Sequence, residues 1–192
     1  MPVRLASVVV TVLVLIPLAS ACGGGSDAPP AARSRPATFA NSTLSLRHPA
    51  AWTAYPFKWS GELHFHPMLY LSTQPVRDPC RTQNGTTACG WPVDRLDPGG
   101  VLISVENRGF PGWSLGQAGG TPLLVGGRSA KRRSDRPGSC AAIGGQLTIA
   151  VAVASPQPGN WTELTACLRG PQLTANEHRL DALLASLRFR RP

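Results

Sequence analysis

Leu147-Thr-Ile-Ala-Val-Ala-Val153 is the clearest strand in the chain, because its side chains alternate in size with a period of two. Leu147, Ile149, Val151 and Val153 fall on one face, and Thr148, Ala150, Ala152 and Ala154 on the other. That is the pattern of a strand with one face in a core, the small face admitting another element closely. Thr162, Leu164, Ala166 and Leu168 repeat the period and leave Cys167 on the opposite side. Then the period lengthens. Thr174-Ala-Asn-Glu177 has the form of a capping box, and Leu180, Leu183, Leu184 and Leu187 follow at i, i+3, i+4 and i+7. Such a stripe predicts an amphipathic helix laid over a sheet, with Phe189 sealing its last turn and Pro171 safely before the cap. No other stretch carries a comparable helical signal. The expected class is therefore α+β: a curved, mainly antiparallel sheet covered by a C-terminal helix and stabilised by disulfides.

Outward from these two elements, Leu44 and Leu46 read as an edge strand ending in the Pro49-Ala-Ala-Trp52 turn, with Trp52 as an aromatic plug. Ala54–Lys58 and Glu62–Leu71 read as two strands joined near Ser60-Gly61. In the second, Leu63, Phe65, Pro67 and Leu69 share one face, and His64, His66, Met68 and Tyr70 the other. Pro67 favours an edge or a strand break. From Pro75 to Gly100 the Asp-Pro, Asn-Gly, Trp-Pro and Asp-Pro-Gly-Gly sequences read as one long loop. Val101–Val105 restores a strand, and Pro122–Val125, Gly126-Gly127 and Arg128–Arg133 give a hairpin signal. Lys131-Arg-Arg133, with Arg136 nearby, reads as a solvated loop, the rival being an anion-facing patch.

The start of the chain carries an address. An apolar run from Leu5 to Ala19 follows the charge of Arg4, too short to span a bilayer, where a helix needs about 20 residues. Leu18-Ala19-Ser20-Ala21-Cys22 resembles the lipobox of bacterial lipoproteins, with alanine three places before the cysteine. The resemblance implies cleavage before Cys22 and acylation of its thiol. Residues 1–21 are then a lipoprotein signal peptide, 22–37 a Gly-, Ser- and Pro-rich membrane tether, and 38–192 one extracytoplasmic domain. The expected localisation is the outer side of the cell membrane, with membrane lipid as the first partner.

Four cysteines remain after Cys22. In an exported chain they allow two disulfides in three pairings, of which Cys80–Cys89 and Cys140–Cys167 join nearest neighbours, the second tying two predicted strands together. A zinc reading lacks the close Cys-x₂₋₄-Cys knuckle. The formal charge is +9, from 19 basic and 10 acidic groups. Outside a cell that balance points to anionic headgroups and phosphate-bearing wall polymers rather than nucleic acid.

Read as a whole, the chain resembles a group of small exported actinobacterial proteins and, more distantly, α/β/α sandwiches of the PsbP and LpqN type. The resemblance rests on Leu46-Arg-His-Pro-Ala-Ala-Trp52 and Leu184-Ala-Ser-Leu187-Arg-Phe189. It implies a binding or assembly role at the cell envelope and transfers no catalytic residue.

Gly112-Trp-Ser114-Leu-Gly116 matches G-x-S-x-G, and Asp135 and His178 follow in the chain order of an α/β-hydrolase triad. The flanking Gly109-Phe-Pro-Gly and Gln-Ala-Gly-Gly-Thr-Pro offer neither the entering strand nor the leaving helix of a nucleophile elbow. A secreted serine hydrolase is thus the alternative to a non-catalytic module. His64 and His66, with His48, lack a closed coordination shell, and no metal or cofactor is expected. Of five tryptophans (Trp52, Trp59, Trp91, Trp113 and Trp161), Trp91 and Trp113 sit in Pro/Gly-rich loops suited to stacking on a glycan or peptide ring. Together with the His64/His66 strand face they form the expected ligand surface, for an envelope protein or a cell-wall ligand. Asn41, Asn84 and Asn160 begin sequons, which in a bacterial lipoprotein carry no presumption of glycosylation.

Overall fold

The computed structural model describes residues 35–57 and 65–190. The leader, Cys22, most of the tether, Trp59, the Ser60-Gly61 turn and His64 lie outside those residues. In chain order the elements are β1 (Ala37–Ala40), β2 (Leu44–His48), β3 (Thr53–Pro56), β4 (Phe65–Ser72), β5 (Cys80–Gln83) and β6 (Thr86–Cys89). There follow β7 (Val101–Gly109), β8 (Thr121–Val125), β9 (Arg128–Asp135), β10 (Leu147–Ala154), β11 (Asn160–Leu168), α1 (Leu173–Ser186) and β12 (Arg188–Phe189). Short 3-10 turns interrupt the loops at Leu115–Gln117 and Gly138–Ile143.

Seven strands form one antiparallel sheet in the order β3-β4-β7-β11-β10-β9-β8. Its inner face carries Leu69 and Leu71, Val101, Ile103 and Val105, the large side chains of β10, and Leu164, Ala166 and Leu168. Leu180, Leu183, Leu184 and Leu187 of the helix pack onto that face together with Phe39, Leu44, Leu46 and Trp52. All four leucines are buried, as their spacing requires. Each removes enough apolar surface from water to contribute about 1.5–3 kcal/mol. The α+β architecture, with a large antiparallel sheet, a C-terminal helix packed on it and two disulfides, follows from these pairings.

Several details depart from the sequence reading. β2 is not an edge strand but the middle of a three-stranded sheet, β1-β2-β12, closed by Phe189 pairing with Leu44. In β4 the simple alternation fails: His66 pairs with Asn107 and Pro67 with Glu106, but after a bulge Leu69 pairs with Val105. One extra residue at Met68 shifts the register, so Pro67 and Leu69, expected on one face, fall on opposite faces of the sheet. Pro67 tolerates this place because β3 pairs only with Leu69–Ser72, leaving no ladder bond for its missing N–H on that side. Within the expected loop, Asn84-Gly85 turns a hairpin, β5–β6, with both residues at positive φ (52° and 76°).

Lys131-Arg-Arg133 is strand rather than loop, the centre of β9. The capping box does not form. The helix begins at Leu173 with Gln172 as an N-cap lacking a side-chain bond, and Glu177 is drawn instead into an ion pair with Arg132. Cys140–Cys167 joins β11 to the 138–143 turn, not to a second strand. The helix is anchored from outside as well: buried Asn176 donates its amide to the Gly99 carbonyl at 3.1 Å. Among the described residues no helix is long and apolar enough to cross a membrane.

A candidate ligand-binding cleft on the outer sheet face

The outer face of the large sheet is half covered. At one end the loop after β4 and the 138–143 turn bury Tyr70, Val93, Leu96, Leu102 and Ile143 around the Cys140–Cys167 bridge. At the other end the strands remain open, and their register sets polar side chains in rows. One row runs Tyr70, Ser104, Thr165, Ala150, Arg133; the next runs Pro67, Glu106, Glu163, Ala152, Lys131. Residues directly opposite each other in antiparallel strands share a face, so each row is a line of neighbours.

These rows floor a cleft of about 460 Å³, lined by Tyr70, Ser104, Glu106, Arg108, Glu163 and Thr165. One wall is Trp91 with Gly90 and the Cys80–Cys89 bridge, which pins the ends of the β5–β6 hairpin directly across the ladder. Beyond Glu163 a smaller hollow of about 190 Å³ continues over Ala150 and Ala152, whose short side chains leave it room. Trp113 closes that side, stacked on Trp161 with ring centroids 4.1 Å apart and planes 15° apart.

The charges in the cleft are arranged by one guanidinium. Arg108 Nη2 donates to Glu106 Oε2 at 2.9 Å, and its Nε lies 3.0 Å from Glu163 Oε2. Trp161 Nε1 donates to the same Glu163 oxygen at 3.3 Å. Burial pushes the Glu106 carboxyl above the usual carboxylate range; Arg108 opposes this and the Glu163 charge adds to it. Burial, helped by the charges of Glu106 and Asp78, holds the Tyr70 phenol up to about 12, so it enters the cleft as a neutral donor. The site therefore offers aromatic faces, fixed acceptors and hydroxyls. It suits a polar ring that stacks at its edges and hydrogen-bonds to the floor.

Of the residues singled out by sequence, Trp91 lines this cleft and Trp113 borders its extension. His64 is outside the described residues, and His66 stands in the register row of Asn107, not in the cleft rows. His48 is buried in β2, its Nδ1 3.0 Å from the Pro49 carbonyl oxygen. Among the described residues no three histidine, cysteine, aspartate or glutamate side chains are grouped to hold a metal. Ser114, Asp135 and His178 are carried by three separate elements. Ser114 precedes the 115–117 turn beside Trp113; Asp135 ends β9 and binds Arg133 Nε at 2.8 Å; His178 is exposed on α1, which packs on the inner face.

The Arg128–Arg136 segment does not act as one basic patch. Arg132 pairs with Glu177 and Asp181 of the helix, Arg133 with Asp135, and Lys131 Nζ binds the carbonyls of Gly116 and Ala118. Glu106, Arg108 and Glu163 are not legible as a site in the sequence, whereas Tyr70 belongs to the strand face read there as a ligand surface and does line the cleft. Only the charged tail of β7, Glu106 and Arg108 two apart on one strand face, hinted at it. No protein-family model matches the chain, and a search of curated proteins finds no significant match.

Proposed function

We propose that this chain is a membrane-anchored extracytoplasmic lipoprotein whose domain is a non-catalytic binding module of the cell envelope. The anchor rests on the Leu18-Ala-Ser-Ala-Cys22 sequence. The binding role rests on one observation: the open end of the outer sheet face is a walled cleft whose polar floor is fixed by the Glu106–Arg108–Glu163 network. A floor already hydrogen-bonded in one geometry loses little freedom when a ligand arrives. Trp91 and the hairpin wall supply the stacking surface. The ligand this chemistry favours is a small, polar, wall-derived ring compound. The serine-hydrolase alternative finds no support in the placement of Ser114, whose candidate histidine lies on a helix beneath the opposite face of the sheet.

Two experiments test the two halves. Metabolic labelling with a fatty-acid analogue should mark the wild type and not Cys22→Ala; an unlabelled wild type removes the anchor. Tryptophan fluorescence titrated with soluble cell-wall fragments should saturate for the wild type and fail in Trp91→Ala and Arg108→Gln. Equal responses in all three proteins would remove the cleft from the binding role.

A further inference from the structure

A second cleft, of about 620 Å³, opens where the ends of β7, β9 and β11 meet β12 and the turn before β2. Its composition differs from that of the outer-face cleft. Arg128 and Arg190 stand at it, with Asn107, Gln157, Asn160 and Thr162; Arg108, neutralised by Glu106 and Glu163, borders it as well, and among the described residues no aspartate or glutamate lines it.

Arg128 is the unusual member. Its guanidinium carbon sits over the Phe189 ring, 4.0 Å from the centroid, a cation–π contact that favours this position. Among the described residues it makes no ion pair and no side-chain hydrogen bond. By contrast Arg77, Arg108, Arg132 and Arg133 are all engaged by carboxylates. A half-buried guanidinium held by a cation–π contact keeps its planar fork of donors free for an oxyanion.

The neighbours add neutral donors. Thr162 Oγ1 donates to Asn107 Oδ1 at 3.1 Å, and among the described residues the Asn107 amide N–H groups have no acceptor. Asn160 Nδ2 donates to Gln157 Oε1 at 2.8 Å, and the same holds for the Gln157 amide. Arg190 is set at the rim by its backbone N–H, which donates to the Thr43 carbonyl at 2.8 Å.

We infer that this cleft binds a phosphorylated polyol, the phosphate on the Arg128 fork with Arg190 beside it and the hydroxyls on the amides of Asn107 and Gln157. A phosphate presents several acceptor oxygens to a bidentate guanidinium, and the absence of lining carboxylates leaves the positive potential uncancelled. The inference stands on residues other than those that fix the outer-face ligand, so either site can fail alone.

Calorimetric titration of the full-length protein in neutral detergent tests it, with glycerol 3-phosphate, dihexanoyl phosphatidylglycerol and glycerol as probes. Both phosphates should bind saturably and glycerol should not. The tighter of the two identifies the source as a free polyol phosphate or a lipid headgroup. Arg128→Gln should weaken binding about ten-fold or more, and Arg128→Lys, which keeps charge but not the fork, by less. Arg77→Gln, remote from the cleft, should bind as the wild type does. Circular dichroism melts confirm that each variant is folded; a misfolded Arg128→Gln leaves the phosphate-against-glycerol comparison and Arg128→Lys to decide. Absence of phosphate binding, equal binding of glycerol, or wild-type affinity in a folded Arg128→Gln overturns the inference.

Discussion

Glu106 and Glu163 stand directly opposite each other on β7 and β11, with Arg108 bound to both. Two carboxylates so placed repel unless a cation or a proton intervenes. Because burial raises the Glu106 value, the folded chain holds that proton more tightly than the unfolded chain does. Its contribution to stability is therefore complete below the ordinary carboxylate value and is lost as pH rises through the raised one. Denaturant unfolding of wild type and Glu106→Gln across this window should show the wild type losing stability relative to the variant. A difference between them that stays constant with pH contradicts the assignment.

Leu183 lies on the helix at the centre of the inner core, 1% exposed. Leu183→Ala should cost about 2–5 kcal/mol in denaturant unfolding. Asp181→Ala, which removes a partly exposed partner of Arg132, should cost at most about 1 kcal/mol. A Leu183→Ala cost within the roughly 0.5 kcal/mol typical of surface changes would place the helix away from the sheet.

How far the sequence carried can be seen in that helix and in β10. Both bury one face against the same core, so their periods of 3.6 and 2 were written plainly in Leu180–Leu187 and Leu147–Val153. Where local preference competes with tertiary contacts, the tertiary contacts prevail. Thr174 and Glu177 have the spacing of a cap, yet Arg132 from β9 claims the glutamate. Lys131-Arg-Arg133 has the composition of a loop, yet pairing on both sides by β8 and β10 holds it as strand. Asn84-Gly85 carried its hairpin signal openly, but the flanking polar residues lack the apolar alternation that marks strands. The cleft was hidden for a different reason. Glu106 and Glu163 become neighbours only once β7 pairs with β11, and register between distant strands is not a local property.

The two bridges should differ in kind. Cys140 and Cys167 are fully buried and clamp the 138–143 turn to the sheet, so replacing both by alanine should cost about 2–4 kcal/mol. Cys80–Cys89 closes a shorter loop on an exposed hairpin, and its replacement should cost less stability while releasing the Trp91 side of the cleft. Paired unfolding curves, with the fragment titration repeated on each variant, check this. A larger stability loss from the hairpin bridge would reverse the two roles.

On the function proposed above, the open end of the outer sheet face receives a ligand in the envelope. A photoreactive amino acid at Ser139, exposed at the lip of the cleft, tests it in intact cells when compared with the same group at Leu124, 74% exposed on β8. Irradiation followed by mass spectrometry should yield one recurrent adduct from position 139, absent from position 124 and lost when Trp91→Ala is added. The same adducts at both positions, or none from 139, would remove the ligand from this cleft.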